Sequence, residues 1–373
     1  VHLPGGLGDG TRLPALLVYT RYWRSSEDAQ TGEPLPALAP LDRHFLANGY
    51  AVVKADARGS GASFGSRPTE YGHQEVRDGY DIIDWIARQP WSDGKVGAYG
   101  TSYTGTTAEL LAATEHPALR AVIPGWSDFD DYLSPSRPYG LVASAFIRLW
   151  GQYVGWQDEN NVEQLGESVR RVDGDDDGSL LAAALAEHAA NPDVFEVVSA
   201  AKFRDDAYQG HVPFDAGPIH WLDAIERSGV PMLVLVSWLD AGTVDGAIQR
   251  FRHLSNPQKV VIMATNHGGS EHASPYVVDR VPVAPVPSVA EQFVLRLAFF
   301  DQHLKGAENG VDEWPAIRYF NLGEEALRAA EDWPPGPVTM RRLHLSRDGA
   351  LSTKAPEDVG ADAYAVDFEV GTG

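Results

Sequence analysis

At 373 residues the chain is long enough for two domains and a large core, and its 43% apolar and 22% charged residues are those of an ordinary globular protein. A formal net charge of −22 argues against the clustered Lys and Arg of a nucleic-acid footprint and against an anionic membrane surface. There is no cysteine, which removes disulfides and thiolate catalysis, and no apolar run approaches the ~20 residues needed to span a bilayer.

Strands and helices alternate from the start. "LPALLVYT" (13–20) reads as a buried strand, "APLDRHFLANG" as a helix, and "YAVVKADARG" as the next strand. "QEVRDGYDIIDWIARQP" places apolar residues at helical spacing, "KVGAYG" returns to strand, and "ALRAVIPGW" (118–126) adds one more. This alternation predicts a mostly parallel α/β sheet. From 127 to 225 the character changes to aromatics, loops and one Ala-rich helix over 179–190, the pattern of an insertion capping the core. "PMLVLVSWLD" (231–240) and "QKVVIMATNH" (258–267) resume the buried strands, with "TVDGAIQRFRHL" as a helix between them. Short strands such as "IRYFNLG", "MRRLHLS" and "AYAVDFEV" predict a separate β domain near the end. The expected division is therefore an α/β domain of 1–126 and 226–312, a helical cap of 127–225, and the first part of a β domain over 313–373. Beginning at Val1 rather than methionine, the chain leaves its true N-terminus open. That leaves a cleaved leader open, with the cytoplasm favoured.

In open parallel sheets ligands bind beyond the carboxyl ends of the strands. Three polar residues stand at such ends: Ser102 after "VGAY", Asp240 after "MLVLVSWL" and His267 after "VVIMATN". Ser102 alone has two readings of equal weight, a nucleophile at a strand-to-helix elbow or a plain helix cap. The second glycine of the elbow motif comes one place late, at Gly105. The chain order Ser, Asp, His is that of α/β-hydrolase triads, and the three residue types complement one another. A serine hydroxyl needs a histidine to take its proton, and the histidine needs an acid to fix its tautomer.

Several motifs then carry a resemblance. "GTSYTG", "DARGSGASFG" (56–65), "DGYDIIDWIARQPWSDGKVG" (78–97), "FFDQHLKGAENG" (299–310) and "DWPPG" (332–336) run over nearly the whole chain. Together they resemble the family of α/β-hydrolases that unites cocaine esterase-like enzymes, α-amino-acid ester hydrolases, glutaryl-cephalosporin acylases and X-Pro dipeptidyl-peptidases. The resemblance implies an α/β-hydrolase core with a helical cap and an incomplete jelly-roll-like β-sandwich. It implies a serine hydrolase acting through an acyl-enzyme on a small ester, amide or short peptide, with no cofactor. Tyr22, in "LLVYTRYWR", would give its hydroxyl to the oxyanion hole, with the backbone N–H of Tyr103 as second donor; Tyr19 competes but lies inside the strand. An X-Pro dipeptidyl-peptidase, or an inactive binding fragment, is the alternative, and self-association into a homo-oligomer is open.

Other residues are weighed against these. Trp126, Phe129, Trp150 and Trp238, with Trp156, are candidates for an apolar acyl pocket, though single aromatics are more often core. Asp56 and Arg58 read as an ion pair bracing a loop. Asp245 and His272 rival Asp240 and His267 from less favourable places. Asp128, Asp130 and Asp131 resemble half of the carboxylate cluster with which α-amino-acid ester hydrolases hold an ammonium group, while the "AGTV" after Asp240 lacks the other half. "DGDDDG" (173–178) mimics the first half of a calcium loop, but Ala184 stands where the twelfth-position acid is required, so no metal is expected.

Overall fold

The computed structural model describes residues 1–240, 242–277, 283–361 and 363–367. In chain order come β1 (Leu13–Thr20), β2 (Ser26–Asp28), α1 (Pro40–Ala47), β3 (Ala51–Asp56), α2 (His73–Ala87), β4 (Ser92–Thr101), α3 (Tyr103–Leu110) and β5 (Leu119–Gly125). A middle segment follows with α4 (Ser144–Asp158), α5 (Val162–Leu165), β6 (Glu167–Val169), α6 (Ser179–His188) and α7 (Val194–Ala200). Then come α8 (Leu222–Ser228), β7 (Met232–Ser237), α9 (Thr243–His253), β8 (Gln258–Met263), α10 (Val289–Lys305), β9 (Ile317–Asn321) and β10 (Ala326–Ala330).

Eight strands make one sheet in the order β10-β9-β8-β7-β5-β4-β1-β3, parallel except for β10, which pairs antiparallel with β9. Both faces are covered, which is why its strands read as continuous apolar runs rather than alternating ones. In β1, Ala15, Leu17 and Tyr19 join the core beneath α2, α3, α8 and α9, while Leu16 joins the core beneath α1 and α10. Helix α2 buries Val76, Gly79, Ile83 and Ile86 on one stripe. A Cβ at Gly79 would run into the Leu111 Cδ2 methyl, so glycine lets that side chain pack directly on α2.

The middle segment has a small core of its own around Ile147, Val198, Ala201 and Phe214. Asp158 at the end of α4 ties it to the sheet. Its carboxylate accepts from Arg21 at 3.0 Å, from Arg67 at 2.8 Å and from Asn191 at 2.9 Å. Burial works against the charged form, but the two guanidiniums outweigh it and hold Asp158 below the usual carboxylate range.

Two expectations are corrected. The sequence predicts one helix in 127–225, over 179–190; α4 is a further one, in which Phe146, Trp150 and Tyr153 share a face beside the buried stripe of Ile147, Gly151 and Val154 and blur its period. "IRYFNLG" does not open a separate domain. As β9 it pairs parallel with β8, Val260 opposite Ile317, and one compact unit runs from Val1 to Trp333. The second unit, Pro334–Gly373, holds a hairpin of β11 (His344–Ser346) and β12 (Ala350–Ser352) with Leu345 and Leu351 exposed. Within "AYAVDFEV", residues 363–367 carry no regular structure and the remainder lies outside the described residues.

Candidate active site

Ser102 sits at the corner between β4 and α3 with φ +63° and ψ −129°, a region that non-glycine residues avoid. Holding it there costs on the order of 1–3 kcal/mol, which the surroundings must offset. Its N–H donates to Gly125 O at 2.9 Å, its carbonyl accepts from Gly105 N at 2.8 Å, and Thr104 Oγ1 accepts from Thr101 N at 2.8 Å. The glycines of "GTSYTG" have steric reasons. A Cβ at Gly100 would overlap the backbone of Thr104, and one at Gly105 would lie 2.5 Å from Gly125 O. The late second glycine is thus the residue that packs on β5. The Ser102 side chain makes no capping bond to α3, which disposes of the helix-cap reading.

Asp240 lies in the turn after β7, its carbonyl accepting from Thr243 Oγ1 at 3.0 Å. His267 follows β8, and its Nδ1 is 2.9 Å from Asp240 Oδ2 and 3.0 Å from Oδ1. A carboxylate cannot donate here, so Nδ1 carries the proton and Nε2 keeps its lone pair. The bond from Asp240 raises the His267 pKa above the ordinary imidazole value; burial opposes this, and the charges of Asp240 and Asp128 add to it.

Tyr22, after β1, is anchored by its N–H to Thr20 Oγ1 at 2.8 Å, and its hydroxyl accepts from Trp150 Nε1 at 2.9 Å. Burial pushes its pKa up to about 12, so the phenol keeps its proton at any physiological pH. Tyr103 opens α3, where the first N–H groups have no intrahelical acceptor. Its side chain points the other way, into the core, donating to Glu75 at 2.7 Å and stacking on Tyr71 at 4.3 Å. Ser102, Asp240, His267 and Tyr22 all border one cavity of ≈ 350 Å³, whose further wall is mainly apolar, including Trp126, Ile147, Trp150 and Phe214. That volume suits a small ligand.

A family model of X-Pro dipeptidyl-peptidase (S15 family) matches residues 1–269. The chain belongs to the S15 family. A Mycobacterium bovis relative, provisionally named a serine esterase, is 37% identical over 412 residues, covering 100% of this chain and 64% of its own length. Cocaine esterase of Rhodococcus is 25% identical over 347 residues, covering 87% of this chain and 58% of its own. The chain therefore spans less than two thirds of these S15-like relatives. A CocE/NonD family hydrolase from Staphylococcus aureus superposes with a TM-score of 0.65 at 20% identity, over 93% of this chain and 56% of that one. The fold is that of an α/β-hydrolase core.

Within this S15 chain some expected residues fall elsewhere. Phe129 is fully buried beneath Gly246 and 5.0 Å from the Arg250 guanidinium, and does not border the cavity. Trp238 donates to Phe320 O at 2.7 Å and packs on Trp333, away from the cavity. Asp56 and Arg58 do not pair with each other: Asp56 binds Arg24 and the N–H of Ala62, and Arg58 binds Asp78 at 2.5 Å. His272 contacts Glu325 at 3.3 Å, and Asp245 is exposed on α9. Asp175 of "DGDDDG" accepts from Leu180 N and Leu181 N, so it caps α6.

The three middle aspartates separate. Asp130 is held by Arg204 at 2.6 and 2.7 Å. Asp128 and Asp131 border the cavity, and burial pushes them up to about 7 and about 8. Glu75 was missed altogether. It shares the apolar stripe of α2 with Gly79 and Ile83, and a carboxylate on such a stripe is the signal that marks it.

Proposed function

We propose that the chain carries the catalytic centre of a serine hydrolase, with residues 127–225 as a cap over it and the segment from Pro334 as the start of a further β domain. The observation that carries the reading is the Asp240–His267 bond at a cavity that Ser102 also borders: it leaves Nε2 basic, with a serine held at an elbow on the same cavity. Ser102 Oγ attacks an ester or amide carbonyl while His267 Nε2 takes the proton. The oxygen becomes an alkoxide between the Tyr22 hydroxyl and the Tyr103 N–H, two donors at the place where charge develops. Collapse expels the leaving group, which receives the proton from His267. Water then attacks the acyl carbon while His267 takes its proton; the acyl–Ser102 bond breaks, the proton returns to Ser102 Oγ, and the carboxylic acid is released. Asp240 keeps the imidazole oriented and stabilises its charge throughout. Ester cleavage leads over Xaa-Pro amide cleavage, because the relatives that match over most of the chain are named esterases.

A fluorophosphonate probe tests this directly. Ser102 should be the residue labelled, and Ser102→Ala should lose both labelling and turnover of p-nitrophenyl esters by several orders of magnitude with the thermal transition intact. A mutant retaining a tenth of the activity would sink the nucleophile assignment. Running p-nitrophenyl esters against Xaa-Pro amides on the same preparation decides between the two substrate classes.

A further inference from the structure

A phenol O–H has two favourable in-plane orientations, and a tyrosine bordering a cavity needs something to choose between them. At Tyr22 the choice is made from α4. The Trp150 indole N–H reaches the Tyr22 oxygen at 2.9 Å and occupies one acceptor direction. The phenol proton is left to the other side, and Tyr22 borders the same cavity as Ser102. Behind the indole lies the Arg21 guanidinium, fully buried, 5.4 Å from the ring centroid and bound to Asp158 at 3.0 Å. A cation over an indole strengthens its N–H as a donor, and donation into the phenol oxygen in turn strengthens the O–H. Phe146, one turn earlier on the same face of α4, stacks on Trp150 with centroids 6.3 Å apart.

We propose that Trp150 is a positioning residue for the oxyanion site: its indole N–H aims the Tyr22 hydroxyl at the carbonyl oxygen of a substrate on Ser102. A side chain of the middle segment thereby completes a donor set that otherwise belongs to the sheet domain. This rests on Tyr22 acting as an oxyanion donor. It differs from a mere apolar wall, which would act through substrate contact and therefore through KM.

The experiment is a double-mutant cycle on p-nitrophenyl ester hydrolysis with Trp150→Phe and Tyr22→Phe. Trp150→Phe should lower kcat roughly tenfold with KM changed by less than about threefold. Tyr22→Phe should lower kcat by roughly 10²-fold. In the Tyr22→Phe background the Trp150 change should cost less than about twofold, because its route to the oxyanion is already gone. If the two losses multiply, or Trp150→Phe acts only on KM, the inference is overturned while the oxyanion reading stands. If Tyr22→Phe alone stays within about twofold of wild type, the oxyanion reading fails and this inference with it. Should Trp150→Phe disturb folding by circular dichroism, the tryptophan analogue with sulfur in place of the indole N–H, introduced at position 150, keeps the shape. Wild-type kcat from that analogue overturns the proposal; a loss like that of Trp150→Phe supports it.

Discussion

The bond between Asp240 and His267 pulls activity and stability in opposite directions with pH. His267 is raised above its unfolded pKa, by the hydrogen bond first and against the pull of burial. Its contribution to stability is therefore fully present below the unfolded pKa and is lost as pH rises through the folded one. Activity runs the other way, since the base must be neutral. The expected kcat/KM profile rises with pH through a midpoint above the ordinary imidazole value. Asp240→Asn should move that midpoint down and lower kcat steeply, since the amide neither favours the charge nor fixes the tautomer. A pH–rate profile of the two proteins checks both, and a flat wild-type profile from pH 5 to 9 would contradict a histidine base.

At the scale of elements, the elbow is a contact between three backbones. The end of β4, the first turn of α3 and the end of β5 approach so closely that a Cβ at Gly105 would lie 2.5 Å from Gly125 O and one at Gly125 2.8 Å from Gly100 O. Gly105→Ala must push α3 away from β5 by several tenths of an ångström, because the atom it meets is backbone. The expected cost is roughly 1–3 kcal/mol of stability, with a fall in turnover as Ser102 shifts relative to His267. Thermal denaturation and the rate of fluorophosphonate labelling measure the two effects, and an alanine mutant with wild-type values of both would show that the approach is looser than described.

Across the whole of the first unit, the middle segment is joined to the sheet through charge. Asp158 meets two guanidiniums, and Arg21 is fully buried. Removing the shared carboxylate leaves the two buried guanidiniums with only Glu70, at 3.5 and 3.7 Å, as a nearby carboxylate. Asp158→Ala should cost about 3–5 kcal/mol, and proteolysis within 127–221 should precede global unfolding. Replacing a partner on the surface, as in Arg227→Ala opposite Glu115, should change the melting temperature little. Equal sensitivity at the two sites would refute the distinction.

Much of this was legible in the residues because the signals are local. The buried strands of the parallel sheet announce themselves as unbroken apolar runs, a consequence of helices on both faces. Ser102, Asp240 and His267 stand out as candidates because each follows such a run, at the end of a parallel sheet where ligands bind. Three things had to wait for the tertiary structure. The partner of a short strand is not encoded in its own periodicity, so "IRYFNLG" reads as a new domain from sequence although it pairs with β8 in the main sheet. The direction of a side chain decides whether an aromatic lines a cavity, and similar residues divide: Trp126 and Trp150 border the cavity, Phe129 is in the interior, and Trp238 packs half-buried against the core. The meeting of Trp150 with Tyr22 spans 128 positions of chain. Composition and spacing carry a residue's chemistry and its element; which residues meet at such separations is settled only when the whole core packs.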